Sequence, residues 1–256
     1  MPELIVNLDS VALLREGGRA LDPDPVQVAA VAEAAGAAGI SVHLREDRRH
    51  VQDRDVRVLR ETVKTSLTLT IAPRDALLVI AEALRPDWVN LVPGGDAAPG
   101  GGAGGGAGGG AGSAAAGKDD GLRAAVDTLR QAGIRTSLLI QPDLDLVKTA
   151  AGLGVQAVSL HAGAYAAQYG MPEEAREREM IQNAAEYAQK LGLRVRVAEG
   201  IDYRNGEALF ALGAVHGFEI GHALVARSVL VGVDAAVREL LGLMRTARAA
   251  GLLVRA

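Results

Sequence analysis

The 256-residue chain contains no cysteine. That absence excludes a disulfide framework, a thiolate metal site and a cysteine nucleophile, and it is compatible with a reducing compartment. Aromatic residues make up only 3% of the chain, while hydrophobic residues reach 49%. Ala, Val and Leu must therefore fill the interior, which suits close packing of helices on a sheet. Charge of one sign is not in excess, since 27 Lys and Arg against 31 Asp and Glu leave a net −4. Without a basic field there is no electrostatic footprint for nucleic acid, which is not an expected partner. No apolar run approaches the roughly 18–20 residues of a membrane span. The opening residues MPELIVNLDS also lack the basic start and long apolar stretch of a secretory signal. The expectation is a cytoplasmic protein with no membrane association.

What the chain does contain is alternation. Short apolar runs at 4–8, 40–44, 66–71, 88–92, 136–140, 157–161, 194–198 and 217–220 read as strands. Between them lie helical patterns such as VQVAAVAEAAGAAG, RDVRVLRETV, DALLVIAEAL and LRAAVDTLRQAG. Gly39, Gly133 and Gly192 stand where helices give way to strands, as left-handed caps would. Eight strand–helix units in one domain-sized chain predict an α/β fold, a (β/α)8 TIM barrel with additional helices. A doubly wound open sheet is the alternative, but no GxGxxG follows the first strand. The domain is expected to span residues 1–256, with a flexible Gly/Ala-rich loop at 94–121 that cannot bury enough surface to order itself. The final amphipathic pattern, DAAVRELLGLMRTARAAGLLV, is expected to pack on the outer wall.

A barrel places its chemistry at the C-terminal ends of the strands. The residues there are Asn7, Asp9, His43, Arg45, Thr70, His161, Glu199, Gly200, Gly221 and His222. The densest stretch is SVHLREDRRH (41–50), where a buried strand runs into five charged residues flanked by His43 and His50. Arg supplies a planar fork of donors for phosphate, and Glu46, Asp47, Arg48 and Arg49 read as a salt-bridged turn that shapes the loop. Gly221 and His222 fall where the last strand turns into a helix, so that backbone N–H groups can face an anion. His161 reads equally as a cavity residue or a structural hydrogen-bonding one, and His216 as a solvent-facing loop residue. Glu199 reads as a catalytic carboxyl or as a structural partner of Arg196 or Arg204. Strand alternation would put Arg196 on the opposite face, which favours the ligand-facing reading of Glu199. The histidines lack zinc-motif spacing, so no metal site is expected.

On VNLDSVALLRE, LDPDPVQVAAVAEAAGAAGISVHLREDRRHVQDRDVRVLRETV, LHAGAYA and EIGHALVARSVL, the chain resembles the pyridoxine 5′-phosphate synthase family along nearly its whole length. The resemblance implies a transferase of vitamin B6 biosynthesis that is a homo-oligomer and needs no cofactor. It would condense 3-amino-2-oxopropyl phosphate with 1-deoxy-D-xylulose 5-phosphate. By the same resemblance His43 is the acid–base histidine, and Arg45 and His50 hold the deoxyxylulose phosphate. Asn7 and Asp9 contact substrate, and Gly200, Gly221 and His222 lie around the aminoketone phosphate. The chain departs from the pattern at Ser10 and Glu199, where the family has His, and at Thr70 and Ser159, where it has Glu. It departs again at Gly18, where the family has Arg, with Arg19 one position late. Glu199 is then the expected replacement acid. The alternative is a diverged paralogue that binds a phosphorylated small molecule without the synthase chemistry.

Overall fold

Each of the eight apolar runs is buried almost throughout, which is what a parallel strand covered on both faces demands of its sequence. In the computed structural model, which describes residues 1–93 and 120–253, they form β1 (Glu3–Asn7), β2 (Gly39–His43), β3 (Leu67–Ile71) and β4 (Trp88–Leu91), followed by β5 (Arg135–Ile140), β6 (Ala157–His161), β7 (Arg194–Ala198) and β8 (Gly217–Ile220). Every neighbouring pair is parallel, and β8 returns to β1 through Glu3↔Gly217 to Val6↔Ile220. The sheet is therefore a closed barrel in sequence order, not an open sheet.

The helices are α1 (Asp9–Gly18), α2 (Pro25–Ala35), α3 (Asp53–Thr62), α4 (Asp75–Leu84), α5 (Asp120–Gln131), α6 (Leu144–Leu153), α7 (Gly163–Ala167), α8 (Glu174–Lys190), α9 (Gly206–Phe210), α10 (His222–Val231) and α11 (Val233–Leu253). Local chemistry sets their ends. Asp24 caps α2 by accepting from Val26 N at 2.9 Å, with Pro25 in the first helical position. Gly133 and Gly192 are left-handed, at φ 74° and 79°, as their positions predict. Gly39 is not a cap: it opens β2, where a Cβ would meet Ser66 O at 3.0 Å. The left-handed residue after α2 is Gly36, three positions earlier. Positions 94–119 of the expected Gly/Ala loop lie outside the described residues. Its last two, Asp120 and Gly121, already belong to α5. As expected, α11 packs on the outer wall, against α2, α9 and α10.

Inside the barrel the alternation of strand side chains produces a polar lining instead of layered aliphatics. Ser41, Thr68, Thr70, Asn90, Ser137, Ser159, Arg196 and Glu219 are all buried. Trp88 is held between two guanidinium groups, Arg135 at 4.5 Å and Arg196 at 4.7 Å from its ring centre. Arg196 also donates from Nη1 to Thr68 Oγ1 at 3.1 Å. Arg196 is thus an interior residue. His216 is half-buried, not solvent-facing: its Nδ1 accepts from Val195 N, and its carbonyl accepts from Glu3 N.

Candidate active site

The site begins at the end of β1. Asn7 Oδ1 accepts from Asp9 N at 2.9 Å, an Asx turn that starts α1 and leaves the Asp9 carboxylate aimed across to β2. There Asp9 Oδ1 accepts from His43 N at 2.8 Å. Asn7 Nδ2 donates to Asp9 Oδ2 at 3.0 Å and to Glu219 Oε1 at 3.2 Å, tying the ends of β1 and β8 together. Gly221 is required beside this amide, since a Cβ there would lie 2.8 Å from Asn7 Oδ1.

The loop after β2 is fixed by charge. Arg45 Nε and Nη2 grip Asp47 at 3.0 and 3.1 Å, Arg49 joins the same carboxylate, and Arg48 pairs with Asp53. The Arg45 hydrogen bond pulls the Asp47 pKa well below the usual carboxylate range. The salt-bridged turn read from EDRR is therefore present. Beneath it lies a pair that sequence spacing did not reveal. Arg15, from α1, makes a bidentate contact to buried Asp55 at 2.8 and 2.7 Å and donates to His50 O at 3.2 Å. Asp55 Oδ2 in turn accepts from Gln52 N at 2.9 Å.

His50 is wholly buried, and its Nδ1 accepts from Val51 N at 2.7 Å. Burial pushes its pKa down, and nearby Asp9 only partly opposes this. The neutral ring thus carries its hydrogen on Nε2, an atom with no hydrogen-bond partner among the described residues. His43 faces it with ring centres 6.1 Å apart. A buried donor beside a second imidazole and a held guanidinium is suited to an anionic or carbonyl oxygen.

The opposite side is acidic. β7 ends at Ala198, and Glu199 follows with a left-handed φ of 71°. This breaks the strand alternation, so Arg196 and Glu199 both serve the interior. Neither Arg196 nor Arg204 forms an ion pair with Glu199 among the described residues, and Arg204 binds Asp202 instead. Burial, then Glu219 and Asp9, push the Glu199 carboxyl up to about 8. Gly200, at φ 77°, packs where a Cβ would lie 2.7 Å from Ala166 Cβ. His222 stands exposed at the first residue of α10. His161 is half-buried, and its Nδ1 accepts from Gly163 N at 3.1 Å.

The structure therefore gathers Asn7, Asp9, His43, Arg45, His50, Glu199 and Gly221 at one mouth of the barrel, with Gly200 and His222 at its edge. Sequence reasoning missed Glu219, Arg15 and Asp55. Thr70 Oγ1 and Ser159 Oγ are buried without hydrogen-bond partners among the described residues. Among those residues no group of His, Asp and Glu is arranged to hold a metal ion, and no helix is long and apolar enough to cross a membrane.

A family model described as pyridoxal phosphate biosynthesis protein PdxJ matches residues 4–246. The chain is 41% identical over 249 residues to a pyridoxine 5′-phosphate synthase of Geobacter sulfurreducens, covering 96% of this chain and 100% of the relative. It is 42% identical over 242 residues to one of Syntrophotalea carbinolica, covering 94% and 97%. Among solved structures, KGPDC from Streptococcus mutans aligns with a TM-score of 0.62 at 15% identity, over 96% of this chain and 99% of that one. The 4-hydroxy-2-oxoglutarate aldolase/2-deydro-3-deoxyphosphogluconate aldolase from TTHB1 aligns with a TM-score of 0.62 at 16% identity, over 94% of each chain. At such identities these two show the shared barrel alone.

Proposed function

The chain belongs to the PdxJ family of pyridoxal phosphate biosynthesis proteins, and from that premise we propose that it is a cytoplasmic pyridoxine 5′-phosphate synthase. It condenses 3-amino-2-oxopropyl phosphate with 1-deoxy-D-xylulose 5-phosphate, releasing pyridoxine 5′-phosphate, phosphate and water. One observation carries the reading. The buried His43–Arg45–His50 group is locked in place by Asp9, Asp47 and the Arg15–Asp55 pair.

In this reading Arg45 and the His50 Nε2–H bind the phosphate of the deoxyxylulose substrate. The start of α10, with Gly221 and His222, takes the second phosphate, where backbone N–H groups and the helix dipole favour an anion. Gly200 lets the backbone after β7 approach that group closely. His43 moves protons at the reacting carbon centres, and Glu199 supplies the acid where the resemblance expects histidine. A positioned acid–base group is worth roughly 10²–10⁴-fold in such a step. The site's own residues suffice for this scheme, and no cofactor is part of it.

Exposed Val229, Leu230 and Val231 at the end of α10, and Leu14 on the adjoining α1, support assembly into a homo-oligomer. Incubating the purified protein with both phosphorylated substrates tests the proposal. Pyridoxine 5′-phosphate should form, as read by absorbance and mass, and its formation should fall steeply in His43→Ala.

A second reading rests on Thr70 and Ser159. Hydroxyls stand where the family resemblance expects carboxylates, and neither titrates near neutral pH. A paralogue that binds a phosphorylated small molecule without turning it over would give calorimetric binding lost in Arg45→Ala, and no product.

A further inference from the structure

The neutral His50 ring carries its hydrogen on Nε2 because Nδ1 is taken by the N–H of Val51, at 2.7 Å. That N–H belongs to the same planar peptide unit as the His50 carbonyl. The carbonyl is what Arg15 grips, with Nη2 at 3.2 Å from the oxygen. One rigid plate thus has the imidazole at one edge and a guanidinium at the other. Rotation of the plate would carry the N–H away from Nδ1 and free the ring to turn or to change tautomer.

The grip uses the whole guanidinium fork. Nε donates to Glu16 Oε1 at 3.2 Å, and Nη1 and Nη2 donate to the two oxygens of Asp55 at 2.8 and 2.7 Å. Asp55 belongs to the first turn of α3, and its Oδ2 also accepts from Gln52 N at 2.9 Å. The Gln52 side-chain amide adds a donor to the His50 carbonyl at 3.3 Å and one to Arg48 O at 2.7 Å. From outside, Arg54 touches Asp55 at 3.3 Å and clasps Asp24, the cap of α2, at 3.0 and 2.9 Å. Side chains from α1 and α3, braced on the start of α2, therefore converge on one peptide bond. A pair that only fastened α1 to α3 would need Asp55 alone, so the arm placed on the His50 carbonyl points to the ring.

We propose that Arg15 is a positioning residue: by holding the His50–Val51 peptide it fixes the His50 imidazole as an Nε2–H donor for the anion that binds beside Arg45. The hold on the ring stands by itself, while naming the anion as the deoxyxylulose phosphate rests on the synthase reading. Arg15 acts only through His50, since its own donors are engaged by Glu16, Asp55 and the carbonyl. A donor that is already oriented loses little rotamer freedom when the anion arrives. The benefit belongs to binding of one substrate and not to the chemical step.

The test uses the full-length protein with 15N-labelled histidine, and His50→Gln identifies the ring signals in long-range 1H–15N spectra. At about pH 8 wild type should show His50 in the Nε2–H tautomer alone. Arg15→Met/Asp55→Asn removes both charges of the buried pair together and keeps an acceptor for Gln52 N. Its His50 should show both tautomers. Should that variant not fold, Arg15→Lys serves, because its ammonium can stay on Asp55 but lacks the planar fork that also reaches the His50 carbonyl. Kinetics supply the readout that a merely structural role would not move. In either variant KM for deoxyxylulose phosphate should rise roughly tenfold or more. Both kcat and KM for the aminoketone phosphate should stay within about threefold of wild type. His50 remaining wholly Nε2–H in a folded variant, or equal losses on the two substrates, overturns the proposal. Absence of product in wild type with the tautomer result intact sinks the synthase reading and leaves the role of Arg15 standing. Calorimetry with inorganic phosphate then replaces KM: weaker binding is expected in the variant, and equal binding overturns the proposal.

Discussion

The two sides of the barrel mouth are built on opposite principles. On the β2 side, charge is neutralised locally: Arg45 and Arg49 share Asp47, Arg48 pairs with Asp53, and Arg15 and Asp55 lock the base. On the β7–β8 side, acidic groups are crowded together: an asparagine amide joins Asp9 to Glu219, and both push up the carboxyl of Glu199. The first arrangement makes a rigid receptor whose shape does not depend on pH near neutrality. The second makes a group whose protonation is poised there. Binding and proton transfer need different electrostatics, and this fold supplies them from different strands.

The largest effect should come from the imidazole on the rigid side. His43→Ala should lower product formation by roughly 10²–10⁴-fold and leave folding intact by circular dichroism. A variant that retains near wild-type turnover would move the chemistry wholly to the acidic side. Next is the clamp. Arg15→Met strips the fully buried Asp55 of its bidentate partner and leaves it only the 3.3 Å contact from half-exposed Arg54; breaking such a buried pair costs about 3–5 kcal/mol. Urea denaturation measures this, and a loss under about 1 kcal/mol would show that the loop stands without its foundation.

A subtler effect separates the two sides by pH. The Glu199 pKa is raised in the folded protein to about 8 from an ordinary value of 4.5, so the folded state binds more protons than the unfolded state between those values. Stability is therefore highest below the ordinary value and falls as pH rises toward 8. Glu199→Gln should lessen that decline, so its stability relative to wild type should increase from pH 5 to pH 8.5. Parallel denaturation curves at the two pH values would contradict this. The smallest effect belongs to the rim. The Arg49 side chain is 57% exposed, and Arg49→Ala should change stability by no more than about 0.5 kcal/mol while sparing binding, as calorimetry with either substrate would show.

Sequence patterning carried the architecture because each strand announces itself as a short apolar run between helical periods. It also carried the β2 loop, because the residues that bind one another there are two to five positions apart. The acidic side was harder to read. Glu219 sits in the four-residue strand GFEI, and a search of strand ends passes over it. Glu199 was legible as a strand-end carboxyl, but the left-handed turn that aims it is not written in glycine. Arg196 was placed outside because alternation was counted through that turn. Arg15 and Asp55 are forty positions apart, and no local period links them. Gly39 was mistaken for a cap because two glycines, Gly36 and Gly39, spaced by alanines blur where α2 stops.

The chain has one tryptophan, and the fold puts it on the barrel floor between the guanidinium groups of Arg135 and Arg196. That placement gives the protein a built-in optical gauge. Trp88 is 4% exposed, so its emission belongs to one closed environment and should shift to the red when the strands part. Since the Arg196 cation beside this indole feels the charge of Glu219, changes of charge at the barrel mouth should register in the fluorophore. Opening of the barrel and occupancy of its mouth can then be followed in the native chain without a label.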